Sequence, residues 1–397
     1  MIPYSRQYLF SKDIKNVYKV LKSDCLTQGK EVPKFEKKIS NFCKSKYALA
    51  VNSATSALHL TCLALGLKEK DYLWTVPITF VASSNCALYC GAKIDLVDID
   101  KNTFNIDLDS LEKKLKLAKK RKKLPKIVVP VHLAGNPCDL KRLSQLAKKY
   151  RFKIIEDASH ALGSKYMNKN IGNNSFSDAA VFSFHPVKSI TSGEGGAVVC
   201  KDKKIYQKIK MLREHGIVKE KKFFNIKRNV KPWYYEQQEL GFNYRMSDIN
   251  ASLGSSQFSH LKLFVRKRNK IAKIYEKKLN KKFITFQKIE KNCYSARHLF
   301  VIKVAKKFHN KMFNYLRKKK IYAQIHYIPI YKQPYYKKNF NFDVKNFPNS
   351  EKYYSETISI PIFFDLSNKK QLHVIKLINS FLINMTNKNK KTWKTIN

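Results

Sequence analysis

The sequence predicts an α/β fold: a large domain built on a mostly parallel sheet, followed by a smaller C-terminal α+β domain. Three observations carry this prediction. Seven short apolar runs alternate with amphipathic segments over the first two-thirds of the chain, the pattern of strands and helices layered around one sheet. Three of these runs end in polar or glycine-rich turns instead of simple loops. Near residue 247 the spacing of apolar residues changes, and strands and helices follow with a different rhythm.

The elements follow in order. Tyr-Ala-Leu-Ala-Val at 47–51 reads as a buried strand, and 55–66 continues as a helix. Residues 72–76 form the second run, closed by Pro77, and 94–97, 126–131, 153–155, 179–184 and 196–200 are the third to seventh. Between them, 139–150 places Leu140, Leu143, Leu146 and Ala147 on one helical face. Ser247 is suited to cap a long helix reaching about residue 278. A strand at 298–304, a Lys-rich helix and a strand at 323–327 complete the reading. The expected division is a large domain over 1–250 and a small one over 251–397.

Bulk composition narrows the class. A chain of 397 residues with 44% hydrophobic content buries enough surface to need no disulfide or metal staple. The eight cysteines, at 25, 43, 62, 86, 90, 138, 200 and 293, form no Cys-x-x-Cys pair and show no zinc spacing. They read as reduced thiols packed as small apolar residues, and no metal is expected. The first residues, Met1 to Arg6, lack the pattern of a signal peptide. The most apolar stretch, 47–67, is broken by Asn52, Ser53, Thr55, Ser56 and His59, so no membrane insertion is expected. A soluble cytoplasmic protein follows. The 79 basic and 29 acidic residues give a net charge of +50. The basic residues are mostly lysines spread along helical surface runs, a solvated face without the clustering or motifs of a specific nucleic-acid binder. Such a field still draws in anionic small molecules.

Three segments carry chemistry. Asn52-Ser53-Ala54-Thr55-Ser56 joins a strand to a helix. A helix start with free N–H groups and hydroxyls can hold a phosphate, although an ordinary capped turn gives the same pattern. Ile154-Ile155-Glu156-Asp157-Ala158-Ser159-His160 ends a strand in two carboxylates, at the edge where open α/β sheets bind ligands. Asp157 there can hold a cationic ring nitrogen, and His160 can stack on a ring or bond to it. A helix-capping Asp and a surface His are the alternative. Finally, a buried strand delivers Ser183, His185 and Lys188 into a turn followed by Gly193, Gly195 and Gly196. Apolar strands and glycines flank Lys188, where other lysines sit among lysines. A lysine so held can have a depressed pKa and act as a nucleophile. Alone, it reads more readily as a surface loop lysine, until the other two segments are added.

Together the three segments resemble the DegT/DnrJ/EryC1/StrS family of sugar aminotransferases, from Tyr4 to about Pro361. Supporting stretches are Tyr4-Ser5, Leu26-Thr27-Gln28-Gly29, Pro77-Ile78-Thr79-Phe80-Val81-Ala82, Gly241-Phe242-Asn243-Tyr244-Arg245-Met246, and the run from Gln324 to Tyr331. The resemblance implies a fold type I, aspartate aminotransferase-like enzyme with pyridoxal 5′-phosphate as cofactor. It implies that Lys188 binds the cofactor covalently, that Asp157 pairs with the ring nitrogen, and that His160 lies near the 3-hydroxyl. Phe80 would stack on the ring. Ser53, Ala54, Thr55 and Ser183 would hold the phosphate, with Asn243 reaching it from the other subunit of a homodimer whose active sites lie at the interface. The nucleotide-sugar would meet an N-terminal arm through Tyr4. It would also meet Asp24, Cys25, Leu26, Thr27, Gln324, Ile325, His326 and Tyr327, together with Ala54, Ser183 and Asn243. Relatives that dehydrate sugars carry His where Lys188 stands, so amino transfer is expected. Leu26 to Gly29 and Gln324 to Tyr331 are most similar to members on the pseudaminic acid route. This implies a UDP-linked 4-keto amino sugar as acceptor and L-glutamate as donor. The same chemistry on another 4-keto nucleotide-sugar, such as a bacillosamine precursor, is the nearest alternative, followed by a non-catalytic cofactor-binding regulator.

Overall fold

The structure, a computed structural model, describes residues 1–226 and 230–394. The seven apolar runs become one sheet: β1 Tyr47–Val51, β2 Tyr72–Thr75, β3 Lys93–Leu96, β4 Ile127–Val128, β5 Lys153–Asp157, β6 Ala179–Ser183 and β7 Gly196–Cys200. Their order is β1-β7-β6-β5-β4-β2-β3. The pairs β6/β5, β5/β4, β4/β2 and β2/β3 are parallel, while β7 runs antiparallel to both β1 and β6. The sheet is therefore mixed but mostly parallel, and the α/β class expected from the alternation is the one observed.

Successive strand residues point to opposite faces. On β6, Ala180 and Phe182 join one core while Ala179 and Val181 join the other. On β7, Ala197 and Val199 part from Val198 and Cys200 in the same way. Burial on both faces explains why these strands read as unbroken apolar runs. The helix Glu31–Cys43 covers the first face through Val32, Phe35 and Ile39, and Ala54–Ala64 covers the second through Ala57, Leu58 and Leu60. Each fully buried Leu or Phe of this kind contributes roughly 1.5–3 kcal/mol.

A third core gathers Tyr275, Phe300, Ile302, Ile358, Ile360 and Ile378. It lies around a three-stranded antiparallel sheet of Thr285–Phe286, Phe300–Lys303 and Thr357–Ile360. Ile2 is inserted into this core, and Ile2–Pro3 pairs in parallel with Ile321–Tyr322. The first residues are thereby tied to the last third of the chain.

Two expected elements differ. Ser247 does cap a helix, accepting the Asn250 N–H at 3.1 Å. That helix is Asp248–Phe258, however, and a second, Leu261–Lys278, follows after a break. At the break His260 packs 4.2 Å from the Phe10 ring, a contact with the N-terminal arm that local periodicity does not encode. The strand expected at 323–327 is absent. Only Ile321–Tyr322 is a strand, and Gln324 makes a single bridge to Ser359 before the chain turns away. There His326 Nδ1 bonds the Ser359 hydroxyl at 2.9 Å and Tyr353 donates to the His326 carbonyl at 2.7 Å. All eight cysteines are free. Among the described residues no helix is long and apolar enough to cross a membrane, and no group of His, Cys, Asp and Glu side chains is arranged to hold a metal ion.

Candidate active site

The C-terminal ends of β1, β5 and β6 open on one cleft of about 340 Å³, within the roughly 300–1,000 Å³ typical of small-molecule sites. At the end of β1 the chain turns through Asn52 and Ser53 into the helix Ala54–Ala64. Ser53 is the cap, accepting the Ser56 N–H at 3.1 Å, and Ser56 donates to Asn52 Oδ1 at 2.6 Å. Ser53, Ala54 and Thr55 line the cleft, so the helix start presents its first N–H groups and the positive end of its dipole there. Ser183, the last residue of β6, lines the same wall.

This turn depends on Gly196, at the start of β7. A Cβ there would lie 2.5 Å from Ala54 N and from the Ser53 carbonyl group, far inside contact distance. Gly196→Ala must displace the turn, and it is expected to weaken cofactor binding about tenfold or more, since a helix-start anion site is set by backbone geometry. Equilibrium dialysis with pyridoxal phosphate checks this. Unchanged affinity would remove the turn from the site.

Asp157 ends β5 and is 6% exposed. Its Oδ2 accepts the Ser83 hydroxyl at 2.6 Å, Thr79 in turn donates to Ser83 at 2.7 Å, and Oδ1 accepts the Ser159 N–H at 3.1 Å. The carboxylate is thus oriented from behind while facing the cleft. Lys188 lies on the turn after β6, where its N–H bonds the His185 carbonyl at 2.9 Å. Desolvation lowers its pKa to about 8, against the opposing pull of Asp157. An amine in this range is a competent nucleophile and proton carrier near neutral pH.

His160 forms the far wall. Burial, with Lys188 and His326 nearby, holds its pKa well below the usual range, so the ring is neutral. Its Nδ1 accepts the Ala134 N–H at 3.3 Å. The ring proton therefore sits on Nε2, which donates to the Tyr327 hydroxyl at 3.1 Å. The His298 ring backs His160 at 4.3 Å. Tyr4 lies 5.0 Å from His326, both lining the cleft with Tyr327. Phe80 also lines it and leaves 58% of its surface open.

The remaining expected contacts lie elsewhere on this chain. Asp24 and Cys25 line a separate groove of about 830 Å³ beside Lys12, Lys34 and Lys38. The Leu26 carbonyl accepts the Asp248 N–H at 2.9 Å, and Thr27 bridges Ser247. Asn243 lies beside the turn, its carbonyl 3.5 Å from Asn52 Nδ2. The Gln324 backbone pairs with Ser359, and Ile325 is half-buried; neither lines the cleft. Three participants were not read from the sequence. Thr79 and Ser83 are four residues apart, a spacing that hints at a shared helical face. His298 meets His160, 138 positions away in sequence, with no local signal at all.

The model of the DegT/DnrJ/EryC1/StrS aminotransferase family matches residues 8–379. The chain belongs to that family. This DegT-family enzyme is a sugar aminotransferase dependent on pyridoxal phosphate. A Campylobacter jejuni relative named UDP-4-amino-4,6-dideoxy-N-acetyl-beta-L-altrosamine transaminase is 41% identical over 373 residues, covering 93% of this chain and 94% of the relative. The solved structure of Helicobacter pylori PseC, an aminotransferase involved in the biosynthesis of pseudoaminic acid, superposes with a TM-score of 0.87. It is 33% identical, covering 96% of this chain and 98% of that one. A sugar aminotransferase from Streptococcus pneumoniae, Spr1654 in its PLP form, gives 0.86 at 27% identity, with 96% and 98% covered. The cleft of the DegT-family enzyme fits the cofactor. It offers a depressed amine, a buried carboxylate, an open aromatic face, and hydroxyls at a helix start for a phosphate, all lining one space.

Proposed function

We propose that this enzyme transfers the amino group of L-glutamate to C4 of UDP-2-acetamido-2,6-dideoxy-β-L-arabino-hex-4-ulose. The product is UDP-4-amino-4,6-dideoxy-N-acetyl-β-L-altrosamine, on the route to pseudaminic acid. The observation that carries this reading is the convergence of Lys188, Asp157 and the Ser53–Thr55 helix start on one cleft. The choice of sugar is supported by the names of the Campylobacter and Helicobacter relatives.

Each residue has a role that its position supports. When bound, pyridoxal phosphate supplies an electron sink and a carrier for the amino group. Lys188 holds it covalently through Nζ. Nζ also takes the proton released at the donor's α-carbon and delivers one to C4 of the sugar. Asp157, oriented by Ser83 and the Ser159 N–H, faces the ring nitrogen and favours its charged form. Ser53, Ala54, Thr55 and Ser183 receive the phosphate, and Phe80 packs on the ring face. Neutral His160, bonded to Tyr327, meets the 3-hydroxyl edge. Tyr4, His326 and Tyr327 contact the sugar nucleotide.

A second copy completes the site with its Asn243, and Asp24 to Thr27 and Gln324 to Ile325 contact the nucleotide-sugar at the rim. Trp233 and Leu240, near Asn243 in sequence, are 77% and 83% exposed. Large apolar side chains so placed suit burial against another copy.

The depressed amine predicts a pH dependence. The neutral form reacts, so capture of added pyridoxal phosphate by the cofactor-free protein should rise about tenfold per pH unit below about 8 and level off above it. Stopped-flow absorbance follows the capture. A rate still climbing at pH 10, as for an unperturbed lysine, would contradict it.

The function itself is tested by incubating the purified enzyme with L-glutamate and four UDP-, dTDP- or GDP-linked 4-keto sugars. Mass spectrometry and NMR should find the C4-amino product from the β-L-arabino UDP-sugar, at a kcat/KM at least about tenfold above the others, a ratio worth about 1.4 kcal/mol. Preference for the UDP-linked bacillosamine precursor would reassign the substrate and keep the chemistry.

A further inference from the structure

The N-terminal arm makes contacts that the roles above leave unused. Ser5 is 5% exposed, and its hydroxyl donates to the carbonyl of Val187, the residue before Lys188, at 3.1 Å. The Ser5 oxygen in turn faces Arg268 Nη2 at 3.5 Å. Arg268 Nη1 donates to the carbonyls of His298 at 3.0 Å and Ile362 at 2.8 Å. The Ile362 N–H returns to the Tyr4 carbonyl at 2.9 Å. One guanidinium thus reaches the arm, the chain beneath the third core and the backbone of the histidine that backs His160.

Arg268 is unusual in its setting. It is 2% exposed and makes no ion pair among the described residues. Its acceptors are peptide carbonyls and a hydroxyl, and desolvation lowers its pKa to about 10. A buried cation without a carboxylate is costly. A planar fork of fixed donors can bridge several peptide groups where a lysine ammonium cannot. The arm is held on either side of Ser5 as well, by the Ile2–Pro3 strand pairing and by the Arg6–Asp365 ion pair.

We propose that Ser5 and Arg268 are positioning residues for Lys188. Arg268 anchors the Ser5 hydroxyl, Ser5 fixes the Val187 carbonyl, and the following peptide sets where the Lys188 amine points in the cleft. Because Tyr4 lines that cleft and Ser5 is the next residue, the arm links a substrate-facing side chain directly to the lysine turn. The proposal rests on the reading of Lys188 as the lysine that holds the cofactor.

The test uses the holoenzyme with L-glutamate as donor and the variants Ser5→Ala, Ser5→Thr and Arg268→Lys. Borohydride reduction of the wild type and peptide mapping come first. Ser5→Ala is expected to lower kcat about tenfold, with the KM for glutamate within about twofold, since a small misplacement of a reacting group costs rate before binding. The pH midpoint of the bound cofactor's visible absorbance should shift as well, reporting an altered setting for the Lys188 amine. Ser5→Thr, which keeps the hydroxyl, should restore both. Arg268→Lys should reproduce the shift with a larger loss, about thirtyfold, because one ammonium cannot serve both segments. If Ser5→Ala and Arg268→Lys lower the melting temperature but leave the midpoint and kcat of the folded enzyme unchanged, these residues only brace the fold, and the proposal falls by itself. If the wild-type label maps to a lysine other than Lys188, the parent reading falls and takes the proposal with it.

Discussion

Lys188→Ala is expected to abolish covalent retention of the cofactor and to slow amino transfer by about 10²–10⁴-fold, the range lost when a positioned proton carrier is removed. The structure makes this the largest single effect. The lysine lies at the junction of β6 and the cleft, enclosed enough for desolvation to bring its pKa to about 8. No other lysine lines that space among the described residues. The variant should fold. A lysine whose pKa is depressed in the folded state opposes folding while it is charged. That penalty is fully present below about pH 8, and it fades as pH rises toward the unfolded value of 10.5. Alanine removes it, so the melting temperature at pH 7 should be no lower than that of the wild type. Turnover within about tenfold of wild type, on the same scale, would show that another group moves the proton.

Asp157→Asn is the second large effect. The side chain keeps its size and can still sit between Ser83 and the Ser159 N–H, so the fold should be undisturbed. What it loses is the charge. Truncating one partner of a buried, hydrogen-bonded charge pair costs about 2–5 kcal/mol, which at about 1.36 kcal/mol per tenfold is about 30- to 5,000-fold in turnover. Steady-state kinetics with glutamate measures it. A fall of less than about threefold, under 1 kcal/mol, would place the cationic ring nitrogen elsewhere.

Much of this site is legible in the sequence because its chemistry sits at strand ends. β5 and β6 are apolar runs whose last residues change abruptly to Asp157 and Ser183, and the glycines after Lys188 mark a close backbone approach. Gly196 meets Ala54 at such an approach. The parts that could not be read are those created by long-range contact. The Ser83 hydroxyl reaches Asp157 over 74 positions and Ser5 reaches Val187 over 182. At the break between Asp248–Phe258 and Leu261–Lys278, His260 packs on Phe10, a distant contact that helical periodicity does not encode. The strand expected at 323–327 failed for a related reason. Ala323 packs into the third core, while His326 and Tyr327 turn into the cleft and form no ladder. Asp24 and Cys25 were carried to the site by resemblance, and this chain's own geometry sets them on a different groove.

The most direct measurement is where the cofactor is held. In a chain with 79 basic residues, borohydride reduction of the wild-type complex, followed by digestion and mass spectrometry, reads that position without assuming it. The label is predicted on the peptide containing Lys188, at one equivalent per chain, and prior treatment with L-glutamate should prevent it. A label spread over several lysines, or found on any other one, would contradict the site described above.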